Sequence, residues 1–328
     1  MTVRRPSARD LVTPEQLVEL RRRRPWRSAG LIVHAWTVIF ASMAAVAWFP
    51  NPLTYLLAVM SIGSRQLGLA ILMHDGAHGC FARDQRLNTT LSQWFCAWPV
   101  FADTVAYRSY HLAHHAHTQQ PEDPDLILSE PFPITRASYR RKFIRDITGQ
   151  TGFQQRKAQL IGALGCLSHF RARLGPQCLV NAVLFAGLAL AGVWWAYPLL
   201  WLVPLLTWTM VITRIRNIAE HAVVPDSGDP FRNTRTTVAN WIERALIAPY
   251  FVNYHLEHHL LFFVPCYNLP RLHHILISGP LGPRMEIEHG YRAVMRRATS
   301  KSTGHDLRDS DAAMAEQRRG GKRAAAGF

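Results

Sequence analysis

The residues best suited to chemistry in this chain are histidines. Four fall within seven positions in Tyr110-His111-Leu112-Ala113-His114-His115-Ala116-His117-Thr118, and the acidic cluster Glu122-Asp123-Pro124-Asp125 follows. Two other clusters match it: His74-Asp75-Gly76-Ala77-His78 upstream and His255-Leu256-Glu257-His258-His259 downstream. On a helix, positions i, i+3 and i+4 share one face. His111, His114 and His115 are therefore expected to converge on one point, as are His255, His258 and His259, while His74 and His78 form an i, i+4 pair. Eight imidazoles exceed the needs of one ion and point to two metals held by neutral nitrogen ligands. Imidazole suits zinc, copper, nickel and iron alike. A zinc hydrolase keeps three protein ligands and an open position, so two redox metals that together activate oxygen fit this count better. The isolated His34, His169, His289 and His305 read as packed or surface residues, and the doublet His273-His274 lacks a third partner.

Distant clusters can share a site only if the intervening chain returns them to one place. The 328 residues hold long apolar runs separated by arginine-rich segments, the pattern of a membrane protein with polar ends. Spans are expected at about 31–48, 53–72, 178–197 and 199–215. Each pair is joined by a short turn, at Phe49-Pro50-Asn51-Pro52 and at Pro198, giving two hairpins. Even numbers of crossings separate the clusters, so all land on one face. The arginines of Arg21-Arg22-Arg23-Arg24 place the N-terminus, and with it the histidines, on the cytoplasmic side. Arg65 interrupts the second span, and a charge there must be buried or line a cavity. Residues 91–107, with Pro99 and Asp103, read as interfacial or re-entrant.

The fold expected is thus an all-α integral membrane protein, with about four transmembrane helices in two hairpins and a cytoplasmic helical cap holding the histidine-rich di-metal site. A basic arm occupies residues 1–30, the membrane domain 31–298, and a disordered basic tail 299–328. Thr13 can cap a short helix opening at Pro14, with Gln16 at its third position; a solvated arm is the alternative. The net charge of +15 comes from arginines flanking apolar runs. That placement favours contact with anionic lipid, and no nucleic-acid motif accompanies it. The five cysteines form no CxxC pair and read as free thiols in a reducing compartment. The first thirty residues lack the apolar core of a cleavable signal.

HDGAH, HLAHH and HLEHH, in this order and separated by hairpins, resemble the three histidine boxes (HxxxH, HxxHH, HxxHH) of the membrane fatty acid desaturase/hydroxylase superfamily. The resemblance covers roughly His74 to His274, and Asp123-Pro124-Asp125 is similar too. It implies a nine-histidine site for two iron ions: His74, His78, His111, His114, His115, His255, His258 and His259, with His221 as the ninth. It further implies that Asn217, four residues before His221, reaches a metal through water; the alternative is that Glu220-His221 makes only outer hydrogen bonds. His117 points elsewhere on the helix and reads as an outer partner or a surface residue. Asp75, Asp123, Asp125 and Glu257 are candidates to orient ligand imidazoles through their other ring nitrogen, or are solvated carboxylates.

By the same resemblance, molecular oxygen is the co-substrate and hydrogens are removed from an unactivated methylene of a fatty acyl chain, as lipid or thioester, within the membrane. The chain carries no GxGxxG fingerprint, no iron–sulfur cysteine set and no haem domain, so a separate electron donor, ferredoxin-like or similar, is implied. A bacterial inner membrane is the expected setting. A hydroxylase or carotenoid ketolase/hydroxylase on the same scaffold is the alternative, and a non-catalytic metal-binding membrane protein a second.

Overall fold

The computed structural model describes residues 6–164 and 174–302. His169, His305, Cys166 and nearly all of the tail expected from 299 lie outside the described residues.

Helix α1 (Pro14–Leu20) opens with a capping box: the Gln16 backbone N–H donates to Thr13 Oγ1, and the Thr13 N–H donates to Gln16 Oε1. It is not a solvated arm. Leu20 is fully buried, and its carbonyl accepts from Asn268 Nδ2 at 2.9 Å. The Arg24 N–H likewise donates to Tyr267 Oη at 2.8 Å. These bonds lay the N-terminal segment over the stretch that follows the third histidine cluster.

Helix α2 (Pro25–Trp48) starts among the arginines, because Pro25 suits a first helical position. Its bounds therefore begin six residues before the expected span. After a turn capped by Asn51, whose side chain accepts from the Thr54 N–H, α3 (Pro52–Ala77) returns alongside. α3 is the central helix: 72% of its most apolar window is buried, against 28% for α2. It runs unbroken through the first histidine cluster. Arg65 is buried here, as its charge demands. Its guanidinium donates to the Ala245 carbonyl at 2.5 Å and lies 5.3 Å from the centre of the Tyr250 ring.

α4 (Gln85–Ser92) continues into a wide turn of helix at Gln93–Ala97 and a tight one at Trp98–Val100. α5 (Thr104–His117) is capped by Asp103, which accepts from the Val105 and Ala106 N–H groups. The basic stretch forms α6 (Arg136–Ile147) and α7 (Gln150–Leu164). α8 (Gly175–Leu190) has 16 residues. That is roughly 24 Å of helix, short of the ~30 Å hydrocarbon layer. α9 (Tyr197–His221) is long and apolar enough to span, bringing such helices to three among the described residues. It extends six residues past the expected end and carries Asn217 and His221 in its last turns.

The expectation of an all-α chain needs one correction. β1 (Thr236–Val238) pairs in parallel with β2 (Ile287–His289). Thr and Val favour extended backbone. The preceding Arg235, 1% exposed, donates to the carbonyls of Ala219, Ala222 and Val223. This little sheet thereby ties the end of α9 to the third cluster, which lies on α11 (His255–Leu260) after α10 (Trp241–Leu246). α12 (Leu269–Ile277) and α13 (Tyr291–Ala298) complete the described fold.

Candidate metal centre

Each histidine-bearing helix meets the site at one of its ends, and the backbone turns sharply there. Gly79 (φ 72°) follows the first cluster, Gln119 (φ 59°) the second and Val223 (φ 54°) His221, while Tyr250 and Phe251 (φ 54° and 65°) precede the third. Left-handed backbone is costly for non-glycine residues, so surrounding contacts must hold it. The Gln119 N–H donates to Asp123 Oδ2 at 2.8 Å, and the Val223 carbonyl accepts from Arg235. At Gly76 a side chain would collide with Ser92 Oγ, which lets α3 and α4 pack closely.

Nine imidazoles meet in two groups, within each of which the ring nitrogens lie within 4.8 Å of one another. The first comprises His74, His78, His111, His115 and His258; the second comprises His114, His221, His255 and His259. The expectation that His111, His114 and His115 converge on one point is corrected, as is the same expectation for His255, His258 and His259. The reason is helical rotation. At about 100° per residue, i and i+4 differ by about 40°, but i+3 lies about 100° from i+4. His111 and His115 therefore share a group while His114 turns to the other. In the third cluster His255 and His259 stay together and His258 crosses over.

The donor set fits metal ions. His115 Nε2 lies 2.9 Å from His111 Nε2 and 3.0 Å from His258 Nε2, and His255 Nε2 lies 2.8 Å from His221 Nε2. Among the described residues, His74 Nε2, His259 Nε2 and both ring nitrogens of His78 are buried without a hydrogen-bond partner. Buried polar atoms are seldom left unpaired, and a ring of lone pairs aimed inward is what a cation requires. Burial also keeps these rings neutral, the form that binds metal. It pushes His78 down to about 3, with Arg108 contributing, and holds His111, His115, His255, His258 and His259 well below the usual imidazole range.

The carboxylates divide. Asp123 is buried with Oδ1 2.7 Å from His114 Nδ1, and Asp125 Oδ2 stands 3.8 Å from the same nitrogen. Asp75 touches no histidine through a hydrogen bond: it accepts from the Cys266 N–H at 3.2 and 3.1 Å and so pins the chain beyond the third cluster. Glu257, fully buried, is held by Thr236 Oγ1 and by His273 Nδ1 at 2.6 Å. His117 is half-buried and belongs to neither group. Asn217 lines a cavity of about 170 Å³ with Tyr110, Asp125, Arg216 and Glu220, beside His114, His221 and His255. That volume has room for a few waters at ~30 Å³ each.

The contacts of four residues escape a reading of the sequence. Tyr107 Oη lies 3.2 Å from His111 Nδ1, and Thr118 Oγ1 3.2 Å from His259 Nδ1. Glu220 Oε1 lies 3.5 Å from His255 Nδ1, and the Phe262 ring packs on His78 and His115. Tyr107 stands one helical turn before His111, a spacing that flags it; the others depend on contacts between distant segments.

The description "Fatty acid desaturase" belongs to the family model that matches residues 47–281, a stretch holding all three clusters and His221. The chain belongs to the fatty acid desaturase family. It is an oxidoreductase and a membrane protein. A dihydrorhizobitoxine desaturase of Bradyrhizobium elkanii is 30% identical over 288 residues, covering 81% of this chain and 79% of the relative. An sn-1 oleoyl-lipid 12-desaturase of Anabaena variabilis is 24% identical over 285 residues, 78% and 77% of the two chains. A beta-carotene ketolase of Paracoccus sp. (strain PC1) is 25% identical over 248 residues, 74% and 86%. In this desaturase-family chain, iron is the metal expected for the two groups.

Proposed function

We propose that this protein is an oxygen-dependent di-iron desaturase of fatty acyl chains, bound as lipid or thioester and supplied with electrons by a separate donor. One observation carries the reading: nine imidazoles, eight of them buried, in two adjoining groups within a desaturase-family chain. His74, His78, His111, His115 and His258 would hold one iron, and His114, His221, His255 and His259 the other, with Asn217 bonded to a water at the second. The irons, when bound, supply oxygen activation and the abstraction of hydrogen from an unactivated methylene.

The remaining work falls to the chain. Asp123 holds the His114 ring by its outer nitrogen, and Tyr107 and Thr118 do the same for His111 and His259. Eight of the nine rings are buried, and the cavity beside Asn217 leaves room for water at His111, His114, His221 and His255. An apolar groove of about 970 Å³ between α2, the broken segment 93–100 and α8, walled by Trp36, Phe40, Trp94 and Phe95, suits an alkyl chain, though none of the nine histidines lines it. Among the relatives, the oleoyl-lipid desaturase supports a lipid substrate. We further assign α8 as a fourth, shorter crossing, and place the histidine cap and both termini in the cytoplasm of a bacterial cell, on the arginines that precede α2.

A second reading, oxygen insertion as by a hydroxylase or ketolase, is supported by the carotene ketolase match over 74% of the chain. Expression in a host with a reductant system, followed by mass spectrometry of lipids and pigments, separates the two. Acyl chains lacking two hydrogens support desaturation, and products gaining oxygen support the alternative. Unchanged lipids and pigments in a chain loaded with iron would refute both.

A further inference from the structure

Arg21, Arg22 and Arg23, between α1 and α2, join Arg83, just beyond the first histidine cluster, around a surface groove of about 560 Å³. Glu19 is its one acid, and it lies 3.6 Å from Arg22 and 3.8 Å from Arg24. Among the described residues, Arg21, Arg23 and Arg83 make no ion pair, and Arg21 and Arg83 are exposed. A charged groove could serve many anions. What distinguishes this one is the ring that one of its arginines covers. The Arg21 guanidinium lies 4.6 Å from the centre of the Phe263 ring, and Phe263 is 5.7 Å from Phe262. Phe262 is 5.3 Å from His78 and 5.2 Å from His115, both in the five-imidazole group. A file of touching rings thus joins the cationic surface to the histidines. The cavity beside Asn217 instead borders His111, His114, His221 and His255, so the ring file and the cavity meet different imidazoles.

We propose that this groove is the docking surface for an acidic one-electron carrier protein, and that Phe263 and Phe262 bridge it to the metal pair. The proposal rests on the di-iron reading and deepens it. Conversion of one –CH2–CH2– unit to –CH=CH– consumes dioxygen, two electrons and two protons and releases two waters. The substrate gives up two hydrogens with their electrons, and the carrier supplies the other two electrons in two docking events. Charge complementarity speeds such encounters. An anionic lipid headgroup would also satisfy the arginines, but it has no use for the ring file beneath them.

The test uses the full-length protein in nanodiscs of zwitterionic phosphatidylcholine, with an acidic [2Fe–2S] ferredoxin as probe. The double reversal Arg21→Glu/Arg83→Glu should weaken ferredoxin binding about tenfold or more at low ionic strength and flatten its salt dependence. Iron content per chain should stay at the parent level. The reversal Arg140→Glu/Arg141→Glu, on exposed positions of α6, should leave Kd near the parent value. Phe263→Leu should keep Kd but slow reduction of the bound iron. Equal Kd in the first reversal, or equal weakening in the second, overturns the docking surface. So does an unchanged ferredoxin Kd accompanied by loss of co-purified anionic lipid, which would give the groove to lipid. An unslowed Phe263→Leu overturns the bridge. Binding is read without iron, so iron that dithionite fails to reduce would sink the di-iron reading and not the docking surface.

Discussion

His114 and His115 are joined by one peptide bond, yet their imidazoles serve different groups: His115 meets His258 at 3.0 Å, and His114 sits with His221, His255 and His259. Single substitutions should therefore separate the two metals. His114→Ala is expected to lower iron toward one ion per chain, abolish activity and leave membrane insertion intact. His117→Ala, outside both groups, should keep iron and activity. Metal analysis of purified membranes checks both, and full activity in His114→Ala would rule out a shared site.

The Asp123–His114 contact at 2.7 Å is buried on both sides. Asp123→Asn preserves shape but gives up the carboxylate that fixes the ring. Loss of such a partner costs about 10–100-fold in metal affinity. Competition with a chelator should show that drop at one ion of the pair, while the other keeps its affinity.

His273 donates into the fully buried Glu257, and Thr236 of β1 holds the other carboxylate oxygen. His273→Ala leaves a buried acceptor unmet, at a cost of ~1–3 kcal/mol. Thermal unfolding in detergent should shift downward by that amount. His273→Gln, which retains a donor, should recover part of it.

Acid should destabilise the metal-free chain. His78, pushed down to about 3, and the other low rings outside the spans stay neutral when folded but bind protons once unfolded, below about pH 6.5. The unfolded state then carries more protons, so stability is full above that pH and falls as pH drops toward the folded values. Urea midpoints of chelator-treated protein at pH 8 and pH 5 measure the slope; equal midpoints would contradict it.

Local patterns are legible in the sequence. Helical spacing revealed the histidine helices, apolar runs located α2, α3 and α9, and the Thr13 cap marked α1. What escaped notice arises between segments far apart in the chain. The division of the second cluster depends on where α9 and α11 stand. The place of Asp75 beside His74 suggests a partner for an imidazole or a solvated carboxylate, yet it binds the Cys266 backbone 191 residues away. Arg65 was the weak point of its span, and only Ala245 and Tyr250 explain its tolerance. Similarly, no alternation in a three-residue strand announces β1 or β2.

The five non-glycine residues with left-handed backbone among those described, Phe101, Gln119, Val223, Tyr250 and Phe251, all flank helices that carry histidines. Each such residue costs about 1–3 kcal/mol, and contacts such as those of Asp123 with Gln119 and of Arg235 with Val223 offset part of it. The apolar helices can enter the bilayer on hydropathy alone. Bilayer insertion is then expected to precede iron loading, with bound iron adding to the contacts that hold the flanking turns. In a cell short of iron, the inserted chain would lack that added hold, and these turns are where proteases are expected to cut first.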